Sequence, residues 1–158
     1  MQNVNRVKII ILQDKEKIYK AISTLANSLF DQTINTVPTL QKLSNKFSNY
    51  ATVLVAEIDE EIVGFCSFYD NDTISLTAFL SMIVVKNGFQ GHGIGNILMQ
   101  TMINNCRNKN MKRIRLEVDN NNNNAILFYK KRGFELEDQN SKSSFYSMDL
   151  KKHEGDVI

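Results

Sequence analysis

The sequence predicts an α/β domain in which one mixed sheet is covered by helices. Two observations carry this. Strand-like and helix-like segments interleave in the order β-α-α-β-β-β-α-β-α-β-β, which implies about seven strands and about four helices. A glycine-rich turn, Gly91-His92-Gly93-Ile94-Gly95, joins an apolar run to an amphipathic one. The length, 158 residues with 42% hydrophobic, suits one core. Residues 1–150 read as a single domain and residues 151–158 as a polar tail, with no linker or repeat.

Residues 7–12 are apolar enough for a first or edge strand. Asp14 can cap the next helix, where Ile18, Ala21, Ile22, Leu25 and Leu29 share one face. Residues 30–37 connect to a second helix over about 38–47, and Pro38 suits its first turn. Residues 51–58 and 62–69 form a hairpin around Asp59-Glu60-Glu61. Asp70-Asn71-Asp72 is another turn, before a strand over 77–85. After the glycines, residues 97–106 are amphipathic and Asn108-Lys109-Asn110 ends that helix. A strand at 114–118, a helix at 122–131 with Gly133 as its stop, and strands at 134–137 and 144–150 complete the order.

The stretch from Phe89 to Asn96 lies between strand and helix, where backbone N–H groups and the helix N-terminus converge on an anion. Gly95 is followed by Asn96 and Ile97, so a Walker A loop is excluded. The dinucleotide pattern fails at Asn96 from Gly91 and at Leu98 from Gly93. The pattern that fits is Gln90-x-x-Gly93-x-Gly95. Downstream, Leu116-Glu117-Val118 precedes Asn122-x-x-Ala125-x-x-Phe128-Tyr129-x-x-x-Gly133-Phe134. Together, in this order and at this separation, the two blocks resemble the GCN5-related N-acetyltransferases. The resemblance spans about residues 7–150.

With 42% hydrophobic residues the chain reads as neither disordered nor membranous. No apolar run reaches the roughly 18 residues of a membrane span, and residues 1–6 lack a signal-peptide core. A net charge of +2 is too balanced to indicate nucleic acid. Cys66 and Cys106 have no CxxC spacing and read as reduced, partly buried thiols, which points to the cytoplasm. No metal site is expected.

The resemblance implies the acyl-CoA N-acyltransferase fold and acetyl-CoA as cofactor. It implies a strand pair that splays apart to admit the pantetheine. Gly91, Gly93 and Gly95, with Gln90, His92, Ile94 and Asn96, would hold the pyrophosphate. Ile83, Val84 and Val85 would meet the pantetheine through their backbone while their side chains pack in the core. Asn122 would cap its helix or bond the pantetheine, two roles that look alike in sequence. Tyr129 is the proposed acid. A tyrosine with an ordinary pKa of about 10 holds its proton at neutral pH and can give it to a thiolate. By periodicity alone it would be a buried aromatic.

Strand 77–85 carries no acid. Glu117 stands twelve residues before Tyr129, a spacing similar to ribosomal-protein N-terminal acetyltransferases. It would act as a base through water, or line the groove and bind the substrate's cation. Lys130, Lys131 and Arg132 suit a helix C-terminus, and one of them could reach the cofactor's 3′-phosphate. The expected reaction is direct acetyl transfer to a primary amine in a ternary complex. A small amine, an amino acid, an antibiotic and a protein N-terminus all remain open as acceptor. Dimers are common in that family, so a homodimer is open too. Two rivals stand beside this reading: a non-catalytic acyl-CoA-binding or sensing domain of the same fold, and a nucleotide-binding domain of another fold.

Overall fold

The computed structural model describes residues 6–151. The expected tail at 152–158 and the polar start at 1–5 lie outside the described residues. The elements are β1 (Lys8–Leu12), α1 (Lys15–Leu25), α2 (Val37–Tyr50), β2 (Thr52–Ile58), β3 (Glu61–Tyr69), β4 (Thr77–Val85), α3 (Ile94–Asn108), β5 (Arg113–Asp119), α4 (Asn123–Lys131), β6 (Glu135–Gln139) and β7 (Ser143–Asp149). The strands form one mixed sheet in the order β1-β2-β3-β4-β5-β7-β6. Among the described residues only β4 and β5 run parallel.

Alternation along each strand sends neighbouring residues to opposite faces, and both faces are apolar at the centre of the sheet. Ile18, Ile22 and Leu25 of α1 and Leu40 and Phe47 of α2 pack on Val53, Val55 and Phe65. On the opposite face, Leu98, Met99 and Met102 of α3 and Tyr129 of α4 pack on Leu54, Cys66 and Leu116.

Strand β4 changes faces part-way. Ser67 of β3 pairs with Met82 and Phe68 with Leu80, which leaves Ser81 as an extra residue. Ala78 and Leu80 therefore join the α3/α4 core, whereas Met82 and Val84 pack on the α1/α2 side. An unbroken strand would put all four on one face.

Local signals account for most boundaries. Asp14 accepts from the Lys17 N–H and starts α1. This helix ends at Leu25, and Ala26–Ser28 tightens into a 3₁₀ turn, so Leu29 lies beyond the helix expected to carry it. Thr36 caps α2, which begins one residue before Pro38 and runs to Tyr50. Helix α3 starts at Ile94, not Ile97, because Gly93 adopts φ +89° and serves as the N-cap. Cys66 and Cys106 are fully rather than partly buried. Asp70, expected in a surface turn, is 4% exposed and tied to α3.

Candidate active site

The parallel ladder between β4 and β5 pairs Thr77 with Arg113 through Leu80 with Leu116, and stops there. The Ser81 bulge follows at once, so from this point, among the described residues, β4 has a partner only in β3. On that side the Lys86 N–H bonds the Val63 carbonyl at 2.8 Å. Antiparallel alternation then turns the N–H and C=O groups of Val84 toward β3 and those of Ile83 and Val85 toward the gap. Of the three residues expected to offer backbone groups, Ile83 and Val85 turn theirs to the gap. Val84 contributes its position in the wall.

This gap is part of a cleft of about 680 Å³. One wall is β4, another is α4 with Asn122, Ala125, Phe128 and Tyr129, and one end is closed by the glycine turn. Gln90, Gly91, Gly93, Ile94, Gly95 and Asn96 line it, whereas His92 and Glu117 are not among its lining residues.

Gly91 and Gly93 both need positive φ, at +80° and +89°, a region costly for other residues. No side chain caps α3 at Gly93, so its first-turn N–H groups are offered to whatever occupies the cleft. Gly95 serves a different purpose. A Cβ there would lie 3.1 Å from Phe128 Cε2, so the glycine lets α4 approach α3. The Gln90 amide donates to the Val85 carbonyl at 3.0 Å, bracing the turn against β4.

The Asn122 side chain accepts from the Ala125 N–H at 3.3 Å and caps α4 while also facing the cleft. Tyr129 is buried, with edge-on contacts to Phe128 and Phe134 at 5.6 and 5.8 Å between ring centres. Burial pushes its hydroxyl well above the ordinary tyrosine pKa, and the nearby Cys66 adds to the effect. Glu117 is exposed on β5, one residue past the last β4–β5 pair. It lies on the face opposite Leu116 and Val118, which belong to the α3/α4 core.

Several lining residues lie outside the motifs. Ser28, Leu29 and Phe30, from the α1–α2 connection, form the mouth. The Ser28 hydroxyl accepts from the Asn87 N–H at 2.9 Å, which pins this connection to the loop after β4. Arg132 supplies the cation: of the three basic residues at the end of α4, it alone lines the cleft. Its guanidinium lies 3.7 Å from the Phe128 ring centre and donates to Asn96 Oδ1 at 3.1 Å. Partial burial lowers its pKa from the ordinary arginine value.

The geometry can be set beside known proteins. The model of the acetyltransferase (GNAT) family matches residues 19–134. The chain belongs to the GNAT family. A Bacillus subtilis (strain 168) relative, provisionally named a ribosomal protein bS18-alanine N-acetyltransferase, is 30% identical over 86 residues, covering 54% of this chain and 55% of its own length. The chain spans about half the length of the curated relatives it matches. The smu.2055 protein of Streptococcus mutans UA159 superimposes with a TM-score of 0.76 at 25% identity, over 90% of this chain and 99% of its own. A PaiA N-acetyltransferase from Thermoplasma acidophilum, solved in complex with coenzyme A, gives 0.71 at 19% identity over 90% and 99%.

Proposed function

We propose that this GNAT protein is an acetyl-CoA-dependent N-acetyltransferase acting on a primary amine. The observation that carries the reading is the meeting of the β4–β5 gap, the uncapped glycine turn and Tyr129 in one cleft. The cleft fits a long ligand with an anionic middle. The first-turn N–H groups of α3 and Arg132 suit the phosphates, and the gap-facing edge of β4 suits an amide-bearing arm.

Acetyl-CoA would supply an activated acetyl thioester. The rest falls to the chain. Ile83 and Val85 offer backbone groups that orient the arm, and the N–H at Ile83 is placed to polarise a carbonyl. Tyr129 holds its proton at neutral pH because burial disfavours the phenolate. It can therefore protonate a departing thiolate. Glu117, one residue past the last β4–β5 pair, would take the proton of the incoming ammonium through water or hold that cation. Direct attack fits the cysteines. Burial raises both thiols, Cys106 to about 12, so neither is a ready nucleophile. The similarity to an alanine N-acetyltransferase keeps a protein N-terminus among the acceptors, and a cytoplasmic location suits the reduced thiols. No helix among the described residues is long and apolar enough to cross a membrane.

A second reading, an acyl-CoA sensor without turnover, draws on the place of Glu117 outside the cleft lining. One experiment separates the readings. Thermal shifts are measured with acetyl-CoA, CoA, ATP and NADH, followed by thiol release with an amine panel. A ligand at a hundredfold excess over Kd stabilises by about 2.7 kcal/mol. Shifts with both CoA species, together with amine-dependent thiol release, are expected. Shifts without amine dependence would favour the sensor. A shift with ATP or NADH alone would overturn both.

A further inference from the structure

The two faces of the sheet give the cleft two sides. Phe128 and Tyr129 of α4 pack with the α3/α4 core and line the cleft from that face. Leu29 and Val84 pack with the α1/α2 core and line it from the other. An arm lying along the gap-facing edge of β4 would therefore have α4 on one side and the α1–α2 connection on the other. In the proposed reaction Tyr129 meets the departing sulfur from the first side. The side left to an incoming amine is the second.

That second side is uncharged and largely apolar. Leu29, Phe30 and Val84 supply its carbon surface, and the Ser28 hydroxyl is engaged by the Asn87 N–H. Among the described residues that line the cleft, Arg132 is the one charged side chain, and it lies with Phe128 and Asn96 beside the glycine turn. Phe30 is 56% exposed, yet the chain on either side of it is held in place. Before it, Ser28 is tied to Asn87 at 2.9 Å. After it, the Gln32 amide donates to the carbonyls of Ala26 at 2.9 Å and Leu29 at 2.7 Å. This frame keeps a large ring in the open at the mouth of a cleft, where folding gains nothing from it. Such apolar surface in a concave site is suited to cover by a ligand.

We propose that Phe30, with Leu29, is the specificity-determining seat of the acceptor, which is a small monoamine carried on an aromatic or branched apolar group. The inference rests on the transferase reading. The acceptor's apolar part packs on the Phe30 ring and leaves water there, while its amine points to the thioester in the gap. A polyamine would bring a second ammonium against a wall without a carboxylate, where it loses hydration and gains no partner.

The test measures thiol release with phenethylamine, isoamylamine, ethylamine and spermidine at saturating acetyl-CoA. The first two are expected to show kcat/KM about tenfold or more above the last two. Phe30→Ala should raise the phenethylamine KM about tenfold, with much less change in kcat, in the ethylamine KM or in acetyl-CoA affinity. Phe30→Leu should restore part of the loss. Equal or better use of spermidine or ethylamine overturns the proposal. So does a Phe30→Ala loss that is the same for ethylamine and phenethylamine, or one that falls on acetyl-CoA affinity, which would place the ring over the cofactor. Failure of all four amines while acetyl-CoA still shifts the melting temperature also overturns it. Absence of that shift would instead overturn the transferase reading and this proposal with it.

Discussion

Gly95 lies against Phe128: a Cβ on the glycine would sit 3.1 Å from the ring's Cε2 and 3.3 Å from its Cζ. The ring cannot retreat freely, because Arg132 lies on it and Tyr129 meets it edge-on. Gly95→Ala should therefore press the ring toward the cleft. The alanine gains up to about 1 kcal/mol of helix propensity, and overpacking costs about 1–3 kcal/mol. Net stability should fall by about 1 kcal/mol, whereas CoA affinity should fall about tenfold, or ~1.4 kcal/mol. Calorimetric titration with CoA beside a urea melt checks this. Unchanged affinity would mean that the ring does not shape the cofactor's path.

Tyr129→Phe tests the acid without disturbing the packing, since only the hydroxyl is lost. Turnover should fall by about a hundredfold with little change in acetyl-CoA affinity. An unchanged rate removes Tyr129 from that role. Its pH dependence has a definite sign. Burial raises its pKa above the unfolded value of about 10, so the neutral form persists in the folded protein while the unfolded chain ionises. Stability from this group is complete below about pH 10 and is lost as pH rises toward the folded pKa. Tyrosinate titration of wild type and Tyr129→Phe through pH 10 should therefore show no difference while the protein stays folded. A difference below pH 10 would refute the raised pKa.

The parts of this site legible in the sequence are those with backbone requirements. Gly91 and Gly93 occupy φ angles that favour glycine, so the turn showed itself as spacing. Asn122 and Asp14 cap helices by chemistry that any sequence displays. The Ser81 bulge was not legible, because β4 is apolar on both faces and a change of parity leaves its composition unaltered. The start of α3 was hidden for a related reason: Gly93 begins the helix with φ rather than with a side-chain cap. Arg132 shared the general dipole explanation with Lys130 and Lys131, and only tertiary contact with Phe128 and Asn96 sets it apart. Ser28 and Phe30 reach the cleft from a connection with no periodicity of its own.

Arg132 is the cation at the cleft, so Arg132→Gln should weaken CoA binding about tenfold, ~1.4 kcal/mol. The loss should shrink as salt rises, because a partly exposed charge contact is screened. Titrations at low and high ionic strength check this. A loss independent of salt would point to the stacking on Phe128 rather than to charge.

The last prediction concerns the frame rather than the cleft. Asp70, at the end of β3, is 4% exposed. One of its oxygens accepts from Thr52 Oγ1 at 3.1 Å. The other accepts from Asn105 Nδ2 at 2.9 Å and meets Lys109 Nζ at 3.0 Å. These partners come from the start of β2 and the last turn of α3, so one carboxylate joins the sheet to the helix that begins at the glycine turn. Removing it leaves a half-buried amide and hydroxyl without this acceptor. Asp70→Ala should cost about 3 kcal/mol in a urea melt. Lys109→Ala should cost about 1 kcal/mol or less, since that ammonium is half exposed. Asp70 does not line the cleft, so folded Asp70→Ala protein should bind CoA as the wild type does. A stability loss no larger than that of Lys109→Ala would show that the carboxylate is not the joint between sheet and helix.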